Sequence, residues 1–337
     1  MEKDDIQVEK KRTKIAWHKQ RGMRGCLVDG WRMVVCDWKG YMRRLWAVTL
    51  AKALCAAFFV ELVVQYVSDF ALPAFRLWQS APDSPVVGLL LRPDWATVLY
   101  LLLAGVLLFV LVYLLKGKLY ETMHFYARRN SFDPRTCWGV SPFALHSAYK
   151  SCVVDALMYV PACLLLAACL VLLHAHWGLC LSLCTLIVLL LWSMAGVSRP
   201  LYAFYGLSLA SSVRIAFRKE WHRLWPLRFI VWIFVLAVAF VCLLSPVAYL
   251  LTKCAGADSV LMGDPTGIPS YVPLLFFFSN AFSFFLLFSF TTVAQWPVVL
   301  MLRRYEENTQ PSVVVDADQG RNDESQRTKQ HGDDEKV

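Results

Sequence analysis

The sequence predicts an all-α, polytopic integral membrane protein with six transmembrane helices and amphipathic interfacial helices. Three observations lead there. Apolar residues make up 58% of the chain and charged residues 18%, a balance that suits a bilayer better than water. Two uncharged apolar runs, Ala156 to Leu173 and Trp177 to Val197, are separated only by His174, Ala175 and His176. Each is about long enough to cross a hydrocarbon core of ~30 Å, and so short a link makes them a hairpin with both open ends on one side. The third observation is where the cations fall once all the spans are drawn.

Taken in order, residues 1–26 are dominated by Lys, Asp and Glu and are expected to be disordered, because they have little apolar surface to bury. From Leu27, the residues Trp31, Val34, Val35, Trp38, Tyr41, Met42 and Leu45 recur three and four apart, with Arg32, Lys39 and Arg43 between them. That spacing predicts an amphipathic helix in the headgroup layer. Span one covers residues 45–67, and its Ala47, Ala51 and Cys55 form a small-residue stripe on which another helix can pack closely. The apolar start at residue 45 lies too deep in the chain for a secretory signal.

A proline-containing loop, Ser68 to Asp94, leads to span two, residues 95–115, whose helical pattern continues through Leu119, Met123 and Tyr126 and ends near Arg128 to Asn130. Ser141 before Pro142 is the sequence signature of a helix start. Spans three and four are the hairpin, 156–173 and 177–197. Residues 198–225 repeat the amphipathic theme, with Leu209, Val213, Phe217, Trp221 and Trp225 opposite Arg214, Arg218, Lys219, His222 and Arg223. Span five, 226–251, carries Pro246 near its outer end as a kink site. A loop from Lys253 to Pro269 precedes span six, 274–302, and residues 306–337 form a polar, disordered tail. The membrane domain is therefore 27–305.

With six spans both termini share a side, and 30 of the 34 Lys and Arg residues fall on it. Three lie opposite, and Lys52 lies inside span one. The positive-inside rule makes the cation-rich side cytoplasmic. A nucleic-acid partner is not expected, since the basic residues flank hydrophobic spans rather than sit on a water-facing module.

Gly30-Trp31-Arg32, Ala148-Tyr149-Lys150 and Ser212-Val213-Arg214 each place a small, an apolar and a basic residue ahead of a pair of spans, a weak threefold repeat. In these short aromatic and basic helices that introduce spans, residues 27 to 302 resemble a loose group of bacterial multi-span proteins of unknown function. They are also similar in this respect to the membrane domain attached to some glycerophosphodiester phosphodiesterases. The resemblance implies a bacterial cytoplasmic membrane and a helical bundle. It carries no catalytic residues, because that activity belongs to a separate soluble domain, for which the 32 residues after Tyr305 leave no room.

Candidate chemistry is sparse. Lys52 and Glu61 are ionisable groups at membrane depth, nine residues apart on opposite sides of a helix and ~13 Å apart along it, so they do not pair with each other. Snorkelling or an interhelix contact accounts for both, and a proton or solute site at Glu61 is the sharper alternative. Asn280, Ser283, Thr291 and Gln295 form a polar stripe along span six that must face other helices or water. Arg32, Lys39, Arg43, Arg214, Arg218, Lys219 and Arg223 are candidate headgroup contacts. His174 and His176 with Cys180 and Cys184 make a poor metal set, since the cysteines belong to an apolar helix. Asp155, at the start of span three, is accounted for by the helix dipole. No cofactor or catalytic motif is visible.

The expected function is a non-catalytic scaffold or accessory protein that holds anionic lipid, a membrane-protein partner or a second copy of itself. The alternative is a small-solute or proton-coupled transporter.

Overall fold

A computed structural model describes residues 15–17, 19, 21–71, 73, 95–130, 132, 141–172, 177–217, 221–261 and 268–309. Among them the chain is helical and contains no strand. The helices are α1 (Met23–Cys36), α2 (Trp38–Tyr66), α3 (Trp95–Arg129), α4 (Pro142–Leu172), α5 (Trp177–Ala203), α6 (Leu209–Phe217), α7 (Trp221–Leu261), α8 (Val272–Val293) and α9 (Gln295–Thr309), with a π-helical turn at Val67–Ala71 after α2. Among the described residues four stretches are long and apolar enough to cross a bilayer: Trp38–Phe70, Trp95–Arg129, Ile230–Gly256 and Val272–Leu302. The protein is thus an all-helical integral membrane protein. The α4–α5 pair supplies two further helices of 31 and 27 residues where the sequence places its hairpin.

Local chemistry sets several helix ends. Ser141 accepts the Ala144 amide at 3.2 Å, with Pro142 in the first helical position, as the sequence signature anticipates. The Asp37 carboxylate accepts the Gly40 amide at 3.2 Å and caps α2. Helix α3 runs well past its apolar portion to Arg129, where Arg128 and Arg129 face the negative end of the dipole. It stops at Asn130, whose φ of 51° is left-handed.

Helix α2 is the axis of the packing. It lies between α3 and α8, and the order of neighbours continues as α7, α8, α2, α3, α4, α5. Against α8 it presents Ala53, Ala56 and Ala57, which meet Ala281 and Phe284. Against α3 it presents Cys55, whose thiol donates to the Ala104 carbonyl at 3.6 Å. Small side chains let these backbones approach in a solvent that offers no hydrophobic drive. Helices α3 and α4 approach closely at Gly117, where a Cβ would stand 2.9 Å from the Ala144 carbonyl carbon.

At one end of the bundle the helices close over an aromatic layer. Trp296 is fully buried, with Trp17, Tyr41, Tyr126 and Phe132 around it at centroid distances of 5.5 to 6.1 Å. Tilted and edge-to-face rings of this kind fill a core densely and contribute beyond their buried area.

Five boundaries differ from the sequence reading. Trp17, expected in a disordered segment, is 3% exposed: its amide donates to Asn130 Oδ1 at 2.7 Å, and Arg21 reaches Asp29 at 2.5 Å. The first amphipathic stretch is broken at Asp37 into α1 and the start of α2. Its Val34, Tyr41 and Leu45 are buried in the aromatic core, with α1 against α9, so that part of the stripe meets protein instead of lipid. Of the second stretch, Ser198 to Ala203 complete α5, Leu209–Phe217 form α6, and Trp221 to Trp225 belong to α7. Helix α7 continues to Leu261 through the residues read as a loop, and span six is interrupted at Ala294.

Candidate functional site

A cavity of about 440 Å³ opens among α2, α3, α4, α5, α7 and α8. Three of its lining residues are cations from three helices: Lys52 on α2, Lys116 on α3 and Arg199 on α5. Leu115, Val235 and Leu287 give it apolar walls, and Tyr120, Ser151, Thr291 and Gln295 add polar groups. Leu236, 47% exposed, forms part of an open wall on α7. The level of the site follows from the sequence. Lys116 lies one residue past the expected end of span two, Asp155 one before span three, and Arg199 two past span four.

Asp155 organises the cations. Its Oδ2 accepts Lys116 Nζ and its Oδ1 accepts Arg199 Nε, so one carboxylate from α4 joins α3 to α5. Arg199 Nη2 also donates to the Tyr159 hydroxyl at 3.2 Å. Lys52 is held differently, with Nζ 3.6 Å from the centroid of the Phe288 ring, a cation–π contact that gains strength away from water. Burial pushes the pKa of the Cys152 thiol up, an effect that Lys116 opposes and Asp155 adds to. The result is three cations and one carboxylate around a half-enclosed, mostly apolar space.

The helix-dipole account of Asp155 is overturned. Helix α4 starts at Pro142, far from Asp155, and the carboxylate is there for two cations on neighbouring helices. Sequence reasoning missed Lys116 and Arg199 because each reads as an ordinary flanking charge of the positive-inside pattern. A signal was available, in that Lys116, Asp155 and Arg199 all fall within two residues of a span end on the same side.

The polar stripe of span six is divided between two places. Thr291 and Gln295 line the cavity, and Thr291 Oγ1 also donates to the Phe288 carbonyl at 2.9 Å. Asn280 lies in a second polar cluster, where its Oδ1 accepts Ser245 at 2.7 Å and Ser245 shares a 2.8 Å bond with Ser279. Ser283 is half-buried and belongs to neither set. Glu61 makes an interhelix contact: its Oε1 accepts the Tyr249 hydroxyl at 2.5 Å, while its Oε2 is buried and has no partner among the described residues. Lys52 and Glu61 therefore serve different sites.

Of the candidate headgroup contacts, Arg32, Lys39, Arg43 and Arg214 are exposed. Arg218 and Lys219 lie outside the described residues, as do His174 and His176, and Arg223 falls in α7. Among the described residues no group of three or more His, Cys, Asp or Glu side chains is placed to hold a metal ion. No protein-family model, curated protein or solved structure matches the chain.

Proposed function

We propose that the protein is a non-catalytic, six-crossing membrane protein that binds an anionic lipid headgroup in the cavity between α2 and α7. It acts as a scaffold or accessory factor at the inner leaflet, with both termini in the cytoplasm. The carrying observation is the surplus of positive charge, three cations against one carboxylate around a single cavity. An uncompensated charge in low dielectric is expensive and draws in a counter-ion. The cavity's apolar walls, its open side at Leu236 and its level beside the span ends favour a headgroup over a soluble anion. The exposed Arg32, Lys39, Arg43 and Arg214 would add non-specific attraction to the same leaflet.

The test is extraction into nanodiscs followed by mass spectrometry of the lipid that stays bound. Anionic lipid should be enriched over its share of the bilayer, and Lys116→Gln with Arg199→Gln should remove the enrichment. Equal retention of anionic and zwitterionic lipid by the unaltered protein would end this reading. For topology, a reporter fused after Val337 should be active only inside the cell.

A transport reading draws on a different observation, the Glu61 carboxylate, whose Oε2 is buried and has no partner among the described residues. It requires a Glu61-dependent flux in reconstituted vesicles, lost in Glu61→Gln.

A further inference from the structure

We infer that the preferred occupant of the cavity is a lipid whose headgroup ends in a phosphate monoester, in preference to singly charged phosphodiester lipids. This rests on the anion-binding reading above and adds the charge and chemistry of the ligand.

Among the described residues the charged side chains lining the space are Lys52 on α2, Lys116 on α3 and Arg199 on α5. Asp155 on α4 stands behind them, bonded to Lys116 and Arg199. The lining residues of α7 and α8, among them Trp232, Leu236, Phe288 and Thr292, carry no charge, and Gln295 is neutral. The nearby titratable groups Tyr120 and Cys152 are neutral in their ordinary protonated forms. Three cations less one carboxylate leave a surplus of two, so a singly charged headgroup would leave one half-buried cation unmatched. A phosphate monoester carries roughly −1.5 to −2 at neutral pH, with a second pKa of ~6, and offers three terminal oxygens.

The hydrogen-bond supply fits the same ligand. Lys116 gives one N–H to Asp155 and retains two. Arg199 uses Nε on Asp155 and Nη2 on Tyr159, and its Nη1 has no partner among the described residues. Lys52 rests on a ring face, and its N–H groups meet no carboxylate among the described residues. Donors thus approach from three helices, an arrangement that surrounds a terminal phosphate and exceeds what the two charge-bearing oxygens of a diester can use. The lipid tails have a place as well. Ile233, Leu236 and Phe240, at helical spacing on α7, face outward at 51%, 47% and 70% exposure and run from the open wall into the hydrocarbon layer.

The experiment is native mass spectrometry of the full chain in nanodiscs or micelles, titrated with phosphatidate, phosphatidylglycerol and inorganic phosphate. It is done about one unit above and about one unit below the ligand's second pKa of ~6. Above it, phosphatidate should outcompete phosphatidylglycerol by about tenfold or more. Below it the ratio should fall toward one, while phosphatidylglycerol binding, whose charge is constant, stays as it was. Lys52→Gln should remove the preference without removing anionic lipid, and Lys52→Arg, which keeps the charge, should restore it.

Equal binding of the two lipids at both pH values would overturn the inference and leave the anion-binding reading standing. Inorganic phosphate that displaces the lipid at comparable concentration would overturn both the inference and the lipid-headgroup reading, since the site would then serve a soluble anion. Failure of the unaltered protein to retain either lipid would remove the underlying reading as well.

Discussion

Replacing Gly117 by alanine tests a close contact between α3 and α4 and, through it, the geometry of the cavity. A Cβ at this position would stand 2.9 Å from the Ala144 carbonyl carbon and 3.2 Å from the Ala148 Cβ. Non-bonded carbons settle at ~3.5–4.0 Å, so α3 and α4 must separate by roughly 0.6–1 Å. The nearest obstacle is backbone, which no rotamer change relieves. Overpacking of this kind costs ~1–3 kcal/mol, partly offset by the ~0.5–1 kcal/mol that alanine gains over glycine within a helix. The net expectation is a loss of ~1–2 kcal/mol. At Gly105, on the same helix, a Cβ would meet nothing within 4 Å, so Gly105→Ala should show only the gain. The two variants should therefore differ by ~1.5–3 kcal/mol in reversible unfolding from mixed micelles. Equal stability would refute the close approach. Because Lys116 precedes Gly117, the separation also draws Lys116 away from Asp155, and anionic lipid should be retained less well.

Other expectations follow from single contacts. Asp155→Asn removes the shared partner of Lys116 and Arg199, whose side chains are 24% and 14% exposed. Allowing for that partial solvent screening, the loss should be ~1–3 kcal/mol. The loss should shrink when phosphatidate is supplied, and a denaturation midpoint unchanged from the parent protein would rule the bridge out as a support. Tyr249→Phe strips the hydroxyl from Glu61, whose other oxygen already has no partner among the described residues. A cost of ~1–3 kcal/mol is expected, and a double-mutant cycle with Glu61→Gln should be strongly non-additive. Asn130→Gly keeps the left-handed turn but drops the bond to the Trp17 amide. Trypsin should then cut faster at Lys19 and Arg21, and an unchanged cleavage rate would show that this contact does not hold the segment.

Much of the fold was legible in the sequence, because lipid imposes a simple rule: backbone groups are satisfied within each helix, so long apolar runs become helices. The hairpin helices, the projection of α3 beyond its apolar part and the Ser141 cap all follow from patterns a few residues long. Less was visible where tertiary partners decide. The small-residue stripe at Ala47, Ala51 and Cys55 identifies one approach, toward α3 through Cys55. The contact with α8 uses Ala53, Ala56 and Ala57 on an adjacent face that the four-residue spacing did not single out. Trp17 is surrounded by charged residues in sequence, and only the packing of Tyr126, Phe204 and Trp296 gives it somewhere to go. The candidate site was half visible. Lys52, Thr291 and Gln295 stand out because a polar group at membrane depth is costly. Lys116, Asp155 and Arg199 sit at span ends, where charge is ordinary, and their convergence belongs to the arrangement of α3, α4 and α5.

The choice of partner for each cation bears on why the cavity suits a ligand. The protein repeatedly sets cations on aromatic faces: Arg44 lies 4.1 Å from the Phe125 centroid, Lys52 3.6 Å from Phe288, and Lys150 5.1 Å from Tyr202. A ring face stabilises a desolvated cation by ~2 kcal/mol or more, enough to fix its position without neutralising it. A carboxylate in place of Phe288 would hold Lys52 more strongly and cancel its charge. Phe288→Glu should accordingly leave the bundle folded, since it adds an ion pair where the ring now rests, and abolish the preference for phosphatidate while anionic lipid is still retained. Phe288→Leu should weaken the hold on Lys52 yet preserve the preference, because the charge survives. A preference equal in the Glu and Leu variants, measured by lipid mass spectrometry at matched folding, would show that the charge of Lys52 does not reach the site.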